Sequence, residues 1–269
     1  MDEREFEAIQ WRFDEERGIG RIVLDRPDAL NALSDQLRRD YVAGLEAFEE
    51  LDEGARRGEG VAVRAVVVEG AGDRAFCAGA DVNEFTDVSP GAFDPGRPFE
   101  AAESFPAPVV AKIDGYCLGG GLELALSCDF RLASERSELG QPEIDLGIIP
   151  GGGGTQRLAE LLGPSRAKEL CMTDERLSGT EAADEGIVNH VHPAGDLEGA
   201  VSSLVKRLAS KPPLAIRAVK DVVNVHQETG LTQGRRYERR VIDTLRGTAD
   251  HEEGRRAFVE DREPEWEGR

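Results

Sequence analysis

The stretch Gly115-Tyr116-Cys117-Leu118-Gly119-Gly120-Gly121-Leu122-Glu123-Leu124 changes character twice within ten residues. Val109-Val110-Ala111-Lys112-Ile113, just before it, reads as a buried strand, and residues 122–127 read as an apolar helix. Three glycines join them. The N–H groups at such a helix start are unpaired and favour negative charge. A glycine run also lets a ligand lie against the main chain, which a side chain would prevent.

The same alternation extends in both directions. Residues 9–25 read as two short strands around a turn at Arg17-Gly18, the second being Arg21-Ile22-Val23-Leu24. Ser34 is the expected N-cap of a helix that carries Leu37, Tyr41, Leu45, Phe48 and Leu51 at helical spacing. Residues 54–60 form a polar loop, and Arg64-Ala65-Val66-Val67-Val68 is a buried strand by its run of valines. Residues 71–83 read as irregular. Residues 86–98, with three prolines and two glycines, read as a loop or mobile segment. Beyond the glycine triplet come a strand (130–133), a helix (155–162) and a strand (187–191). From Asp196 the pattern is helical, in segments 197–209, 214–228, 231–246 and 251–262. The expectation is an α/β body over 1–195 and a helical region over 196–269, with no repeat at a fixed period.

Composition narrows the function. The 269 residues include 53 Asp plus Glu against 33 Lys plus Arg, a net charge of −20, and only five of the basic residues are lysine. Such a surface repels polyanions, which excludes general binding to nucleic acid or an anionic membrane. No apolar run approaches the ~20 residues of a bilayer span. The start, Met1-Asp2-Glu3-Arg4-Glu5, is acidic and lacks the basic start and apolar core of a signal peptide. A cytoplasmic protein is expected. A carboxylate-rich, lysine-poor surface further suggests adaptation to molar salt, where screening relieves self-repulsion.

Cys77, Cys117, Cys128 and Cys171 show no CxxC spacing and read as small apolar residues. His190 and His192 alternate as along a strand, on one face, without the partners a metal site requires. There is no Gly-x-Ser-x-Gly elbow, Gly-x-Gly-x-x-Gly fingerprint or Gly-Lys-Ser/Thr phosphate loop. Two further segments stand out. One is Phe76-Cys77-Ala78-Gly79-Ala80-Asp81. The other is Gln141-Pro142-Glu143-Ile144-Asp145-Leu146-Gly147, which leads into Ile149-Pro150-Gly151-Gly152-Gly153-Gly154-Thr155-Gln156-Arg157. By position alone, Glu123 is either a charge at a helix N-terminus or a reacting group. Glu143 is either a solvated loop carboxylate or a reacting group.

Taken together, in this order and spacing, the three segments resemble the crotonase superfamily of enoyl-CoA hydratases and isomerases. The resemblance includes Leu24-Asp25-Arg26-Pro27-Asp28-Ala29-Leu30-Asn31-Ala32-Leu33. Later it takes in Gly179-Thr180-Glu181-Ala182-Ala183-Asp184-Glu185-Gly186-Ile187-Val188 and Arg256-Ala257-Phe258-Val259-Glu260, so it covers nearly the whole chain. It implies an α/β fold, a spiral of repeated β-β-α units with helical C-terminal segments used in trimer assembly and in coenzyme A contact. A homotrimer or a dimer of trimers is therefore expected.

The resemblance also implies an oxyanion hole made by the N–H groups of Ala80 and Gly120. Glu123 and Glu143 match the two glutamates of the hydratases, with Glu123 helping to activate water for attack at Cβ and Glu143 exchanging the proton at Cα. Ala29, Ala78, Asp81, Val82, Asn83 and Gly151 fall at substrate-binding positions. No metal and no separate cofactor are implied, since coenzyme A is part of the acyl-CoA substrate. The carboxylate pair favours hydration of 2-trans-enoyl-CoA to 3-hydroxyacyl-CoA. The alternatives are a Δ3,Δ2-enoyl-CoA isomerase and a non-catalytic acyl-CoA-binding subunit. The chain departs from the animal hydratases where Asn83 replaces a lysine near the adenine, and where Asp261-Arg262-Glu263 replaces a more basic C-terminal segment.

Overall fold

A computed structural model describes residues 2–84 and 97–269. A seven-stranded sheet runs in the order β1-β2-β3-β4-β6-β8-β11, and a four-stranded sheet in the order β10-β9-β7-β5. The strands are β1 (Asp2–Arg4), β2 (Ile9–Asp14), β3 (Ile19–Leu24), β4 (Ala65–Gly70), β5 (Ala75–Cys77), β6 (Val109–Ile113), β7 (Tyr116–Leu118), β8 (Phe130–Ser134), β9 (Glu138–Gly140), β10 (Arg176–Ser178) and β11 (His190–His192). The helices are α1 (Asp35–Arg56), α2 (Arg97–Ser104), α3 (Gly120–Ser127), α4 (Gly154–Leu162), α5 (Pro164–Thr173), α6 (Gly179–Asp184), α7 (Leu197–Ala209), α8 (Pro213–Asn224), α9 (Leu231–Leu245) and α10 (Ala249–Glu260).

The chain repeats one move three times. β4, β6 and β8 enter the large sheet side by side and parallel. Each is followed within a few residues by a three-residue strand, β5, β7 or β9, that joins the small sheet, also in parallel. A helix, α2, α3 or α4, then returns the chain. This is the expected spiral of β-β-α units. Burial explains its strands: Val66, Val68, Val109, Ala111 and Ile113 contribute to the main core, while Ala65, Val67, Val110 and Leu132 on the other face of the sheet pack under α7.

The sequence pattern anticipates β2, β3, β4, β6 and β8. α1 starts at Ser34, whose Oγ accepts the Leu37 N–H at 3.1 Å, and it buries Leu37, Tyr41, Leu45 and Phe48. Phe48 stacks on Trp11 with ring centroids 4.4 Å apart. Several expectations shift. α1 continues to Arg56, so the polar loop is shorter than residues 54–60. β5 lies inside the stretch read as irregular, and the strand read at 187–191 is displaced to His190–His192, where it pairs with β8. Of residues 86–98, those up to 96 lie outside the described residues, while Arg97 and Pro98 open α2. The helical region opens with α7, whose Leu197, Val201, Leu204 and Val205 form a second core layer with the large sheet. The four cysteines are free, with Cys77, Cys117 and Cys128 buried.

Candidate active site

Helix α3 starts where the backbone of the small sheet lets it approach. A Cβ on Gly121 would lie 2.0 Å from the Cys77 carbonyl oxygen, so the first turn of α3 packs directly on β5. That contact brings Gly120 beside the segment that follows β5. A Cβ on Gly120 would lie 3.6 Å from the Ala80 nitrogen. The Gly120 N–H is the first of α3 and has no acceptor within its helix. Among the described residues, no backbone carbonyl takes the Ala80 N–H either. Two unclaimed amide donors thus sit on one wall of a cavity of about 330 Å³.

The Ala80 segment is fastened from the front of the chain. Leu33 N–H donates to Gly79 O at 2.8 Å, and Asp81 N–H donates to Leu33 O at 3.2 Å. Asn31, fully buried with φ +56, donates from Nδ2 to Ala75 O at 2.8 Å and Ala71 O at 3.0 Å. Arg26 spans the same seam, donating to Ala32 O at 2.7 Å and to Asp81 Oδ2 at 2.8 Å. Its guanidinium holds the Asp81 carboxyl below the usual range. Arg26 and Asn31 of the Leu24–Leu33 segment therefore clip the stretch from β5 to Asp81 in place.

Glu123 lies in the first turn of α3 and is 3 % exposed. Its Oε1 accepts the N–H groups of Gly152 and Gly154, each at 2.7 Å. Gly154 opens α4, so two helix N-termini converge on one carboxylate. Burial raises its proton affinity, while the Gly154 and Gly152 amides and the Arg157 guanidinium counter that rise in part.

Glu143 approaches from a 3-10 turn, Pro142–Leu146. Gln141 is fully buried, and with its amide nitrogen turned toward Glu143 it donates to Oε2 at 2.9 Å and Oε1 at 3.1 Å. Burial, with the charges of Glu123 and Asp174 adding, pushes the Glu143 carboxyl up to about 7. Gly119, at φ +52, makes room for it: a Cβ there would lie 2.9 Å from Glu143 Oε1. Cys77, at the end of β5, is pushed up to about 12 by burial and is no thiolate nucleophile at neutral pH.

Ala78, Ala80, Val82, Gly120, Glu123, Glu143 and Gly151 all line the one cavity. Ala29, Asp81 and Asn83 are not in its lining. Ala29 ends the 3-10 turn Pro27–Ala29, Asp81 is engaged by Arg26, and Asn83 donates to Asp81 Oδ1 through its backbone and its side chain. Sequence reasoning missed Phe99 and the apolar rim of Leu146, Ile148 and Ile149. It also missed the grip of Gly152 and Gly154 on Glu123. The tetraglycine was the available signal for that grip, once no phosphate-loop lysine followed it. Among the described residues no cluster of His, Cys, Asp and Glu is arranged to hold a metal ion.

The sequence pattern describing the enoyl-CoA hydratase/isomerase family matches residues 14–269. The chain belongs to the enoyl-CoA hydratase/isomerase family. It is 40 % identical over 257 residues to the "Probable enoyl-CoA hydratase" of Rhizobium meliloti, covering 93 % of this chain and 95 % of that one. It is 38 % identical over 251 residues to the "Probable enoyl-CoA hydratase, mitochondrial" of Dictyostelium discoideum, covering 92 % and 87 %. Among solved structures, an enoyl-CoA hydratase subunit from Geobacillus kaustophilus superposes with a TM-score of 0.89 at 40 % identity, covering 99 % of this chain and all of that one. The crotonase-type spiral is thus the family fold, and Glu123 and Glu143 sit where its strands and helices converge.

Proposed function

We propose that this family member is an enoyl-CoA hydratase that adds water across the double bond of 2-trans-enoyl-CoA to give 3-hydroxyacyl-CoA. The observation that carries the reading is the cavity geometry: two unclaimed N–H donors on one wall, and two carboxylates, one buried and one half-buried, held in place by different partners. The thioester carbonyl accepts from Ala80 and Gly120, which polarises the conjugated double bond toward Cβ. Glu123 takes a proton from water as the water oxygen bonds to Cβ. The electron pair moves to the thioester oxygen, where each preorganised donor lowers the barrier by roughly 2.7–4 kcal/mol. The enolate then collapses and takes the Glu143 proton at Cα. The pair starts and ends with one proton, so the chemistry balances without a cofactor.

Leu146, Ile148 and Ile149 form an apolar rim that suits an acyl chain. An isomerase needs only one group to shuttle a proton between carbons, so the second carboxylate favours hydration. Loss of the conjugated-thioester absorbance of crotonyl-CoA, in molar KCl, tests the reading. Absence of turnover for short-, medium- and long-chain 2-enoyl-CoA overturns it. A 3-enoyl-CoA turned over faster than hydration proceeds makes the enzyme an isomerase.

The surroundings of this enzyme belong to the same proposal. Among the described residues no helix is long and apolar enough to cross a membrane, and a cytoplasmic enzyme is the reading we favour. A homotrimer or dimer of trimers covers the apolar residues exposed on the helical end, including Phe258, which is 89 % exposed. Light scattering showing a monomer overturns that assembly. The charge of −20 supports salt adaptation: KM for enoyl-CoA falls as KCl rises to molar levels, because screening weakens repulsion of the coenzyme A phosphates. A KM that rises steadily overturns it.

A further inference from the structure

The two amides that hold Glu123 come from Gly151–Gly154, four consecutive glycines. Glycine has more backbone freedom than any other residue and no side chain with which to anchor itself. The loop is therefore held from outside. Phe99 of α2 lies against it, so that a Cβ on Gly152 would be 2.0 Å from the ring. Arg157, one turn into α4, reaches back over it. Its Nη1 donates to Gly152 O at 2.7 Å, and its Nε donates to Glu103 Oε1 of α2 at 2.6 Å. The guanidinium rests on the loop itself, since a Cβ on Gly153 (φ +99) would be 2.3 Å from Nη1. The Arg157 side chain is 14 % exposed and that of Glu103 32 %.

We propose that Arg157, anchored by Glu103, is a positioning residue for Glu123, pinning the Gly152 carbonyl so that the Gly152 and Gly154 amides stay aimed at Glu123 Oε1. This rests on the hydratase reading, in which Glu123 takes the proton from water. Arg157 itself does not line the cavity, so its effect passes through the loop and through its charge. Among the described residues, the charged and titratable groups that face Glu123 are Arg157 from the α4 side, Glu143 from the 3-10 turn and Cys171 from α5, beside the two amides and the neutral Gln141 side chain. Arg157 is the cation among them. Removing it loosens two hydrogen bonds to the charged form of Glu123 and withdraws a positive charge. Both changes favour protonation of Glu123.

The test uses Arg157→Met, Arg157→Lys and Glu103→Gln in the full chain, with crotonyl-CoA hydration followed across pH and rates normalised to the folded fraction from circular dichroism. Arg157→Met lowers kcat about 10–100-fold with KM little changed, the scale expected of a misplacement near 1 Å. It also moves the acid limb of the pH profile to higher pH. Arg157→Lys restores most of that limb but only part of kcat, because one ammonium keeps the charge and cannot bridge Gly152 and Glu103 as the planar fork does. Glu103→Gln gives a smaller loss of kcat in the same direction. If Arg157→Met does not fold, the other two variants decide. An active wild type whose folded variants keep the wild-type kcat and acid limb, or lose activity only in proportion to the folded fraction, overturns this proposal alone. A wild type that hydrates no enoyl-CoA overturns the hydratase reading and this proposal with it.

Discussion

The two segments that carry Glu123 and Glu143 are built on opposite principles. Glu123 belongs to a helix, and its Oε1 is gripped by two amides of a second helix start. Glu143 belongs to a short 3-10 turn whose C-cap, Gly147, is left-handed, and it faces one side-chain amide, that of Gln141. The residues after it, including Leu146, Ile148 and Ile149, are exposed. The first segment fixes a carboxylate in space. The second leaves a carboxyl less constrained and closer to half-protonated at neutral pH. A group that must deprotonate water along one trajectory benefits from fixed geometry. A group that must give up and recover a proton benefits from a pKa near the working pH.

The largest expected effect comes from removing either carboxylate. Glu123→Gln and Glu143→Gln each lower kcat about 10²–10⁴-fold with the fold intact, as judged by circular dichroism. The comparison breaks if one variant retains near-wild-type turnover, since the pair would then not share the work. The pH profile comes next. The active pair carries one proton, so kcat/KM for hydration is bell-shaped, with an alkaline limb near pH 7 set by loss of the Glu143 proton. Hydration involves no net proton, so dehydration of 3-hydroxyacyl-CoA follows the same profile. Limbs that differ between the two directions would contradict this assignment.

The smallest effect is on stability. The folded protein holds the Glu143 proton more tightly than the unfolded chain does. Stability linked to this group is therefore greatest below the unfolded carboxylate pKa of about 4.3 and declines as pH rises toward about 7. Glu143→Gln removes that decline. Since Glu143 is only partly buried, solvent screening limits the gain to roughly 1 kcal/mol, a Tm rise of about 2–4 °C at pH 8 and none at pH 4. Glu123→Gln stabilises less at pH 8, because the two amides already favour the charged form it replaces. Thermal melts at both pH values check the order, and a larger gain for Glu123→Gln would reverse the comparison.

Much of this architecture is legible in the sequence, and the reason is local. Valine runs mark β4 and β6, and Ser34 followed by an apolar stripe marks α1. The three-residue strands β5, β7, β9 and β10 are too short to carry a period and exist through their pairing with one another. At the site, the glycine triplet marked Glu123 and Gly120 because a glycine-to-helix junction has its own chemistry. The resemblance, not the local pattern, pointed to Asp81 and Asn83, and in the fold Asp81 bonds to Arg26 and Asn83 bonds to Asp81. Residue type could not show this, since Arg26 lies 55 residues from Asp81.

The sequence by itself thus determined the alternation of strands and helices and the acidic surface, because each depends on neighbours along the chain, and its family resemblance singled out the two carboxylates. Only the tertiary structure decided how those carboxylates differ. The partners that set their orientation and proton affinity reach Glu123 across 29 and 31 residues of chain. Others are brought close by β5 packing under α3 and α2 lying against the glycine loop. Burial and hydrogen bonding at such range follow from how the elements pack, which no local run of residues records.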